Sequence, residues 1–425
     1  MGKRRREILN LIALLIYEYC NFWNRLCGYY LNVRIKGYNI VYKEFSLLNM
    51  TRISFCGDVR LLTPSDVTLS QEFYDLLNQC DYNVLNFEVP VKSSDATPID
   101  KSGPCLSQSE LSPSWVEKNG WNVVSFANNH IMDYGVESFC YTSNLFNKAK
   151  KIGAGTWEEA YKVHVLCNEE GKKIGIIACG HREFGALTDK DKKDCKGSAW
   201  ICNSEITRLI IGAKKEVDVL LVYAHAGVEN FIQPLPEWRE YYRYLIDIGC
   251  DAVIASHPHV IQGWEVYKGK PIFYSLGNLC FQKEHVVSSK PWNSSLCCIL
   301  SIDNTNQVEF IVTPLFYDIK SNMICLDDST ETTILLNRTN EVLNNAEEYN
   351  DFIKKELPSL WADYQHLFSN SGYISDLFNR DSLSVIKNKL LGRKFSYTHL
   401  LNNLQNESHR WAIERIIRDK YEIKD

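Results

Sequence analysis

Two histidines flank one proline at His257-Pro258-His259, directly after the apolar run Asp251-Ala-Val-Ile-Ala255. A short apolar run of this kind reads as a buried strand, and the proline disfavours helical backbone at His257. On extended backbone, side chains two residues apart point the same way. His257 and His259 are therefore expected to converge on one point, as ligands of a metal ion do.

The same arrangement recurs along the chain. Arg52 to Cys56 is followed by Gly57-Asp58, Asn83 to Phe87 by Glu88, and Asn122 to Phe126 by Asn128-Asn129-His130. Asp218 to Tyr223 leads into His225, and Pro271 to Leu276 into Gly277-Asn278. Carboxylate, amide and imidazole donors in one set suit Mn, Fe or Zn rather than a thiolate centre. Two such divalent metal ions, held roughly 3.5–4 Å apart as in known centres, repel and need an anionic bridge, for which Glu88 or Asp58 is placed. Paired ions also lower the pKa of water toward about 7, which supplies a hydroxide nucleophile at neutral pH without a serine or cysteine.

His130 stands beside Asn129, with Asp133 three residues on. A carboxylate there fixes the ring's tautomer and orientation, leaving His130 as a general acid toward a leaving oxygen or as a plain hydrogen-bonding neighbour. Arg60 meets an anionic substrate or is an ordinary surface arginine. His181 and Arg182, after the run Lys173 to Cys179, are substrate-facing or structural. Asn278, with Gly277, closes the site through close backbone approach. Glu229 orients His225 or is solvated.

These residues need elements to carry them. Candidate helices at Gln71 to Gln79, Gly135 to Lys151, Ser204 to Lys215 and Pro236 to Ile248 lie between the apolar runs. Strand alternating with helix predicts parallel βαβ units, whose ligand crevice lies outside the carboxyl ends of the strands. Ser295 to Ile302 and Gln307 to Pro314 flank Asp303-Asn-Thr-Asn306 and read as an antiparallel hairpin. Beyond about residue 330 the apolar residues recur at three- and four-residue spacing, over Thr332 to Tyr349, Tyr349 to Phe368, Leu383 to Leu391 and Thr398 to Lys420, which predicts helices. Their aromatics read as core, and no chemistry is assigned to them. His164, His285, His366, His399 and His409 stay unassigned. The chain thus divides into 1–50, 51–325 and a helical 326–425.

Composition sets outer limits. Of 425 residues, 45% are hydrophobic and 23% charged, values ordinary for a globular chain. A net charge of -5 with no basic half excludes a nucleic-acid partner. Fifteen cysteines, scattered through apolar runs with no CxxC pair, point to a reducing compartment, and so to the cytoplasm. Lys3-Arg4-Arg5-Arg6 precedes an apolar run from Leu9 to Tyr17. That run falls short of the roughly 20 residues of a spanning helix, and no small-x-small cleavage site follows. Residues 1–30 are left as an interfacial helix making peripheral membrane contact, an uncleaved anchor of an extracytoplasmic domain, or a helix packed on the body. No P-loop, dinucleotide fingerprint or Gly-x-Ser-x-Gly elbow competes.

Taken in order, Gly57-Asp58-Val59, Asn86-Phe87-Glu88, Ala127-Asn-Asn-His-Ile-Met-Asp-Tyr-Gly135, His225-Ala-Gly-Val-Glu229, His257-Pro-His-Val-Ile-Gln-Gly263 and Tyr274-Ser-Leu-Gly-Asn278 resemble the CapA family. These are capsule and poly-gamma-glutamate synthesis proteins of the calcineurin-like metallophosphatase superfamily. The resemblance covers about residues 51 to 285. It implies an α/β fold, a metallophosphatase-like layered α/β/β/α sandwich with strand-end loops binding two metals. On that pattern Asp58, Glu88 and His259 serve one ion, and Glu88, Asn129, His225 and His257 the other, with His130 beside the leaving group. Asp58-Val59-Arg60 lacks the histidine of the wider Asp-x-His pattern, and Ala226 and Asn230 stand where aromatics often follow His225. The resemblance implies a phosphoesterase-like hydrolase acting on an anionic small molecule or polymer, alongside other capsule-synthesis proteins. A non-catalytic accessory protein of a synthase complex and an amide-bond enzyme are the alternatives.

Overall fold

In the computed structural model, residues 31–35, 38–42, 50–168, 170–191, 195–285, 289–364 and 397–420 are described. They fall into two units, residues 1–50 and 51–425. In the first, Leu31–Ile35 pairs antiparallel with Tyr38–Tyr42. The basic and apolar stretch read at residues 1–30 lies outside the described residues, as does the helix expected at Leu383 to Leu391. No helix among the described residues is long and apolar enough to cross a membrane.

The second unit is built on two sheets. One has six strands in the order Ile261–Tyr267, Lys270–Leu276, Ala252–Ser256, Val219–His225, Lys173–Gly180 and His164–Cys167. Its central pairings are parallel. The other sheet, of nine strands, centres on Thr51–Arg60, which runs parallel to Tyr82–Phe87 on one side. Val123–Ser125 and Lys150–Ile152 continue that side in parallel. On the other side lies the antiparallel hairpin Ser294–Ile302 and Val308–Asp318.

Strand alternation explains the layering. In Lys173–Gly180, Ile174, Ile176 and Ala178 face a core shared with Ile53, Phe55 and Val84 of the other sheet. Ile177 and Cys179 face the opposite way, onto Ile206 and Ile210 of helix Ser204–Ala213 and Trp238 and Tyr242 of helix Pro236–Asp247. On the far side of the nine-stranded sheet, Leu85 and Phe87 pack on Phe73, Trp115 and Phe139, from the helices Gln71–Asn78, Ser112–Lys118 and Gly135–Leu145. Three cores thus separate four layers, the α/β/β/α sandwich. Helices Thr330–Asn344 and Ala346–Tyr364, with Glu407–Lys420, add Leu343, Ile353 and Ile413 to the same outer core. The C-terminal helices are therefore continuous with the body.

Two expectations need correction. The helix read from Gly135 to Lys151 stops at Leu145, where Phe146 turns extended (φ -83, ψ 127). The Glu117 carboxylate takes the next three backbone N–H groups, of Asn147, Lys148 and Ala149, at 2.6–2.8 Å. Those donors cannot then continue a helix, and Lys150–Ile152 joins the sheet instead. Asn278, read as a closing loop, begins a short strand, Asn278–Phe281, parallel to Thr51–Arg60. Gly57 makes that approach possible, because a Cβ there would lie 1.8 Å from the Gly277 carbonyl oxygen.

A partly buried ion cluster ties helix Pro236–Asp247 to the sheet. Glu265 accepts from Arg239 at 2.6 Å, from Arg243 at 2.7 and 2.8 Å, and from the Tyr274 hydroxyl at 2.8 Å. Burial would raise its carboxyl, but hydrogen bonds from Arg243, Arg239 and Tyr274 outweigh burial and hold it at about 2, against 4.5 unfolded. Such a depressed group adds stability above the unfolded value, and that stability is lost as pH falls toward the folded one. Glu265→Ala is expected to cost about 2 kcal/mol at pH 7, because two partly exposed guanidinium groups and the buried Tyr274 hydroxyl lose their charged acceptor. The deficit should shrink at pH 3, as read by urea unfolding.

Candidate metal centre

The candidate ligands sit at or just beyond the carboxyl ends of strands. Asp58 lies two residues before the end of Thr51–Arg60, still paired with Asn86 and Asn278, Glu88 follows Tyr82–Phe87, and Asn129 follows Val123–Ser125. From the facing sheet, His225 ends Val219–His225, and His257 follows Ala252–Ser256. All are at least 95% buried.

Side chains from both sheets meet here. One ligand atom from each of Asp58, Glu88 and His225 lies within 4.8 Å of the others. His259 Nε2 lies 3.6 Å from Glu88 Oε1, and His259 Nδ1 3.6 Å from Asp58 Oδ2. Asn129 Oδ1 lies 2.9 Å from His225 Nε2, and His257 Nδ1 lies 3.1 Å from the same nitrogen.

The backbone at the two histidines differs from the extended form expected of it. His257 has φ 103° and His259 φ 58°, conformations worth roughly 1–3 kcal/mol of strain in a non-glycine residue. The turn aims the His257 N–H at Asp58 Oδ2, 3.1 Å away, and the Asn230 N–H donates to the Pro258 carbonyl at 2.8 Å. The imidazoles converge through this kink and not through pleat alternation.

A polar frame fixes the ligands. Asn86 Nδ2 donates to Asp58 Oδ1 at 2.8 Å and lies 3.0 Å from His225 Nδ1. Asn128 holds Asn86 and the Phe87 carbonyl with its amide and accepts the His130 and Ile131 N–H groups with its oxygen. Asn278 Oδ1 meets His259 Nδ1 at 2.9 Å, and its amide donates to the His259 and Trp292 carbonyls. Asn278 therefore grips His259 with both ends of its amide.

Charge in the cluster is finely divided. Burial works to raise the Asp58 carboxyl, yet His225, His259 and Asn86 prevail and hold it below the usual range. Burial, reinforced by Asp58, pushes Glu88 well above its usual value. Burial lowers His225 against the pull of Asp58, and it lowers His257 further, with His181, His225 and His259 adding to it. Neutral imidazoles of this kind carry lone pairs suited to a cation.

Glu88 tests whether a cation fits. Both of its carboxylate oxygens are buried without a hydrogen-bond partner, among imidazole nitrogens at 3.6–3.8 Å. A buried carboxylate with no donor is strongly unfavourable as an anion, and buried acids without donors are rare unless they bind a cation. The donor set fits a divalent metal.

His130 Nδ1 lies 2.6 Å from Asp133 Oδ2, which also accepts the Leu106 N–H at 2.7 Å. The other Asp133 oxygen accepts from Lys101, whose Nζ lies 3.2 Å from His130 Nδ1. Arg60 is buried and donates to the Ser107 and Gln282 carbonyls and to Glu284. His181 packs its ring 4.2 Å from that of His257, and Arg182 lies over Trp200. Glu229 is exposed.

Several residues of this frame were not read from the sequence. Asn86 lies two residues before Glu88 on one strand, so pleat alternation could have flagged it. Lys101 comes from a polar stretch with no periodic signal. Glu183, next to Arg182 in the loop that reads as substrate-facing or structural, accepts from Asn129 Nδ2 at 3.3 Å and ties that loop to the frame. Burial would raise its carboxyl, but His181 outweighs burial and holds it far below the usual range.

The chain has relatives among known proteins. It is 30% identical over 213 residues to the capsule biosynthesis protein CapA of Bacillus anthracis, covering 49% of this chain and 52% of that protein. It is 30% identical over 241 residues to the PGA biosynthesis protein CapA of Bacillus subtilis, covering 54% of this chain and 63% of that protein. It thus spans less than two thirds of either relative. Among solved structures, the calcineurin-like phosphoesterase YfkN of Bacillus subtilis aligns with TM-score 0.36 and 14% identity, over 69% of this chain and 97% of that one. The sulfate thiohydrolase SoxB of Thermus thermophilus aligns with TM-score 0.38 and 10% identity, over 74% and 61%. The model of the bacterial capsule synthesis protein PGA_cap family matches residues 52–283, more than half of the chain, and the chain belongs to that family.

Proposed function

We propose that this chain is a divalent-cation-dependent hydrolase of the phosphoesterase type, acting on an anionic substrate in the production of capsule or another cell-surface polymer. The observation that carries the reading is Glu88, a buried carboxylate with no donor, set among His225, His259 and Asp58. Asp58, Glu88 and His259 would hold one ion, and Glu88, Asn129, His225 and His257 a second. Oxygen and imidazole donors suit Mn, Fe or Zn. When bound, such ions polarise the scissile ester and lower the pKa of water.

The chain's own residues do the rest. Asn86 and the His257 N–H keep Asp58 aimed inward, and Asn278 fixes the ring of His259. With His130 Nδ1 engaged by Asp133, Nε2 is the nitrogen that hands a proton to the leaving oxygen. Arg60 holds the Gln282–Glu284 segment, so a substrate anion reaching it must displace Glu284. His181 and Arg182 line the neighbouring loop.

The test is elemental analysis of protein purified without chelators, followed by turnover of an aryl phosphate with added Mn. Stoichiometric metal and turnover are expected in the wild type, with both lost in His225→Ala. Protein without metal would overturn the proposal. Metal without turnover of ester or amide substrates would favour an accessory protein that holds a polymer or synthase partner.

A further inference from the structure

Three consecutive residues at the start of helix Glu407–Lys420 are buried against the loop that leaves strand Lys173–Gly180. Asn406, Glu407 and Ser408 are each no more than 1% exposed. Asn406 Nδ2 donates to Glu183 Oε1 at 2.7 Å. Glu407 accepts the Arg182 N–H and the Trp200 indole N–H, both at 2.9 Å. Ser408 Oγ accepts the Trp238 indole N–H at 2.9 Å and lies 3.3 Å from His181 Nδ1. Each of the three thus grips a different residue of the loop or its neighbours.

The grip continues inward. Glu183 Oε2 takes the Asn129 amide N–H at 3.3 Å, and Asn129 Oδ1 faces His225 Nε2 at 2.9 Å. A primary amide is planar, so fixing its NH2 on Glu183 fixes which way its oxygen points. In parallel, His181, held by Ser408, stacks edge-on against His257. All of this comes from a helix more than 100 residues beyond the family-matched 52–283.

We infer that the C-terminal helix positions the metal centre through the chain Asn406–Glu183–Asn129, which presents the Asn129 oxygen to the cation. The inference rests on the proposed cation site. Asn406, Glu183 and Ser408 are positioning residues, since none is proposed to touch the cation itself. Asn406 also caps its own helix, its Oδ1 accepting the Ser408 N–H at 2.9 Å. That dual role makes a discriminating test available.

Asn406→Asp and Asn406→Ser both keep a strong N-cap acceptor but remove the amide donor, and the aspartate adds repulsion against Glu183. Glu183→Gln breaks the same chain at a point remote from the cap. Co2+ titration of the full chain, followed by calorimetry and by the visible absorption of the bound ion, reads the result, with thermal melting as the control for folding. Loss of an outer partner of a metal ligand typically weakens binding about 10- to 100-fold. Asn406→Asp and Glu183→Gln are expected to show at least a tenfold rise in Co2+ Kd and an altered spectrum, Asn406→Ser a smaller change, all at near wild-type melting temperature. Folded variants that bind Co2+ as the wild type does would overturn the positioning role alone. A wild type that takes up no Co2+ would overturn the proposed function and this inference together.

Discussion

Replacing Glu88 with glutamine is expected to abolish divalent-cation binding while leaving the fold intact. The substitution preserves size and shape in a site where both carboxylate oxygens lack a hydrogen-bond donor. It therefore breaks no bond that holds the layers together. It removes a buried carboxylate that no hydrogen-bond donor satisfies, and with it the anion that two like-charged ions would share. Burial, reinforced by Asp58, pushes Glu88 well above its usual value, so a neutral amide of the same shape is not disfavoured by its surroundings. Metal content by elemental analysis should fall from stoichiometric to background. The added thermal stability that a saturating cation confers, about 2.7 kcal/mol at a hundred times Kd, should vanish with it. A Glu88→Gln protein that retains wild-type metal would place the centre elsewhere.

The second large effect concerns proton delivery. His130→Asn should lower turnover of an aryl phosphate by about 10²- to 10⁴-fold, the usual contribution of a positioned acid or base, with cation content unchanged. The separation of the two readouts follows from the geometry. His130 is anchored to Asp133 at 2.6 Å, and Asp133 in turn to Lys101 and the Leu106 N–H, none of which joins the cluster of Asp58, Glu88 and His225. Turnover equal to wild type would reduce His130 to a hydrogen-bonding neighbour.

The layered fold was legible because its strands are buried on both faces and read as apolar runs, with the polar group falling just past each one. Asp58, Glu88, the Asn128-Asn129-His130 run, His225, His257 and His259 each stand just past such a run. What the pattern could not carry was curvature. The left-handed backbone at His257 and His259 arises from partners at Asp58 and Asn230, distant in sequence or on a separate loop. The early end of the helix at Leu145 is imposed by Glu117 from another element. Asn406, Glu407 and Ser408 fall inside the single helical stretch read from Thr398 to Lys420, and helical spacing carries no sign that side chains there also hold a neighbouring loop.

The cluster draws Asp58, Glu88 and Asn129 from one sheet and the three histidines from the other. Asp58 and His257, joined by a single hydrogen bond, stand 199 positions apart in the chain. Contacts of such sequence separation form only after most of the loop-closure entropy has been overcome. The centre therefore cannot seed folding or template either half. A cation bound as proposed would be acquired late, by a molecule whose layers have already closed, and its occupancy would report on the completeness of the whole architecture.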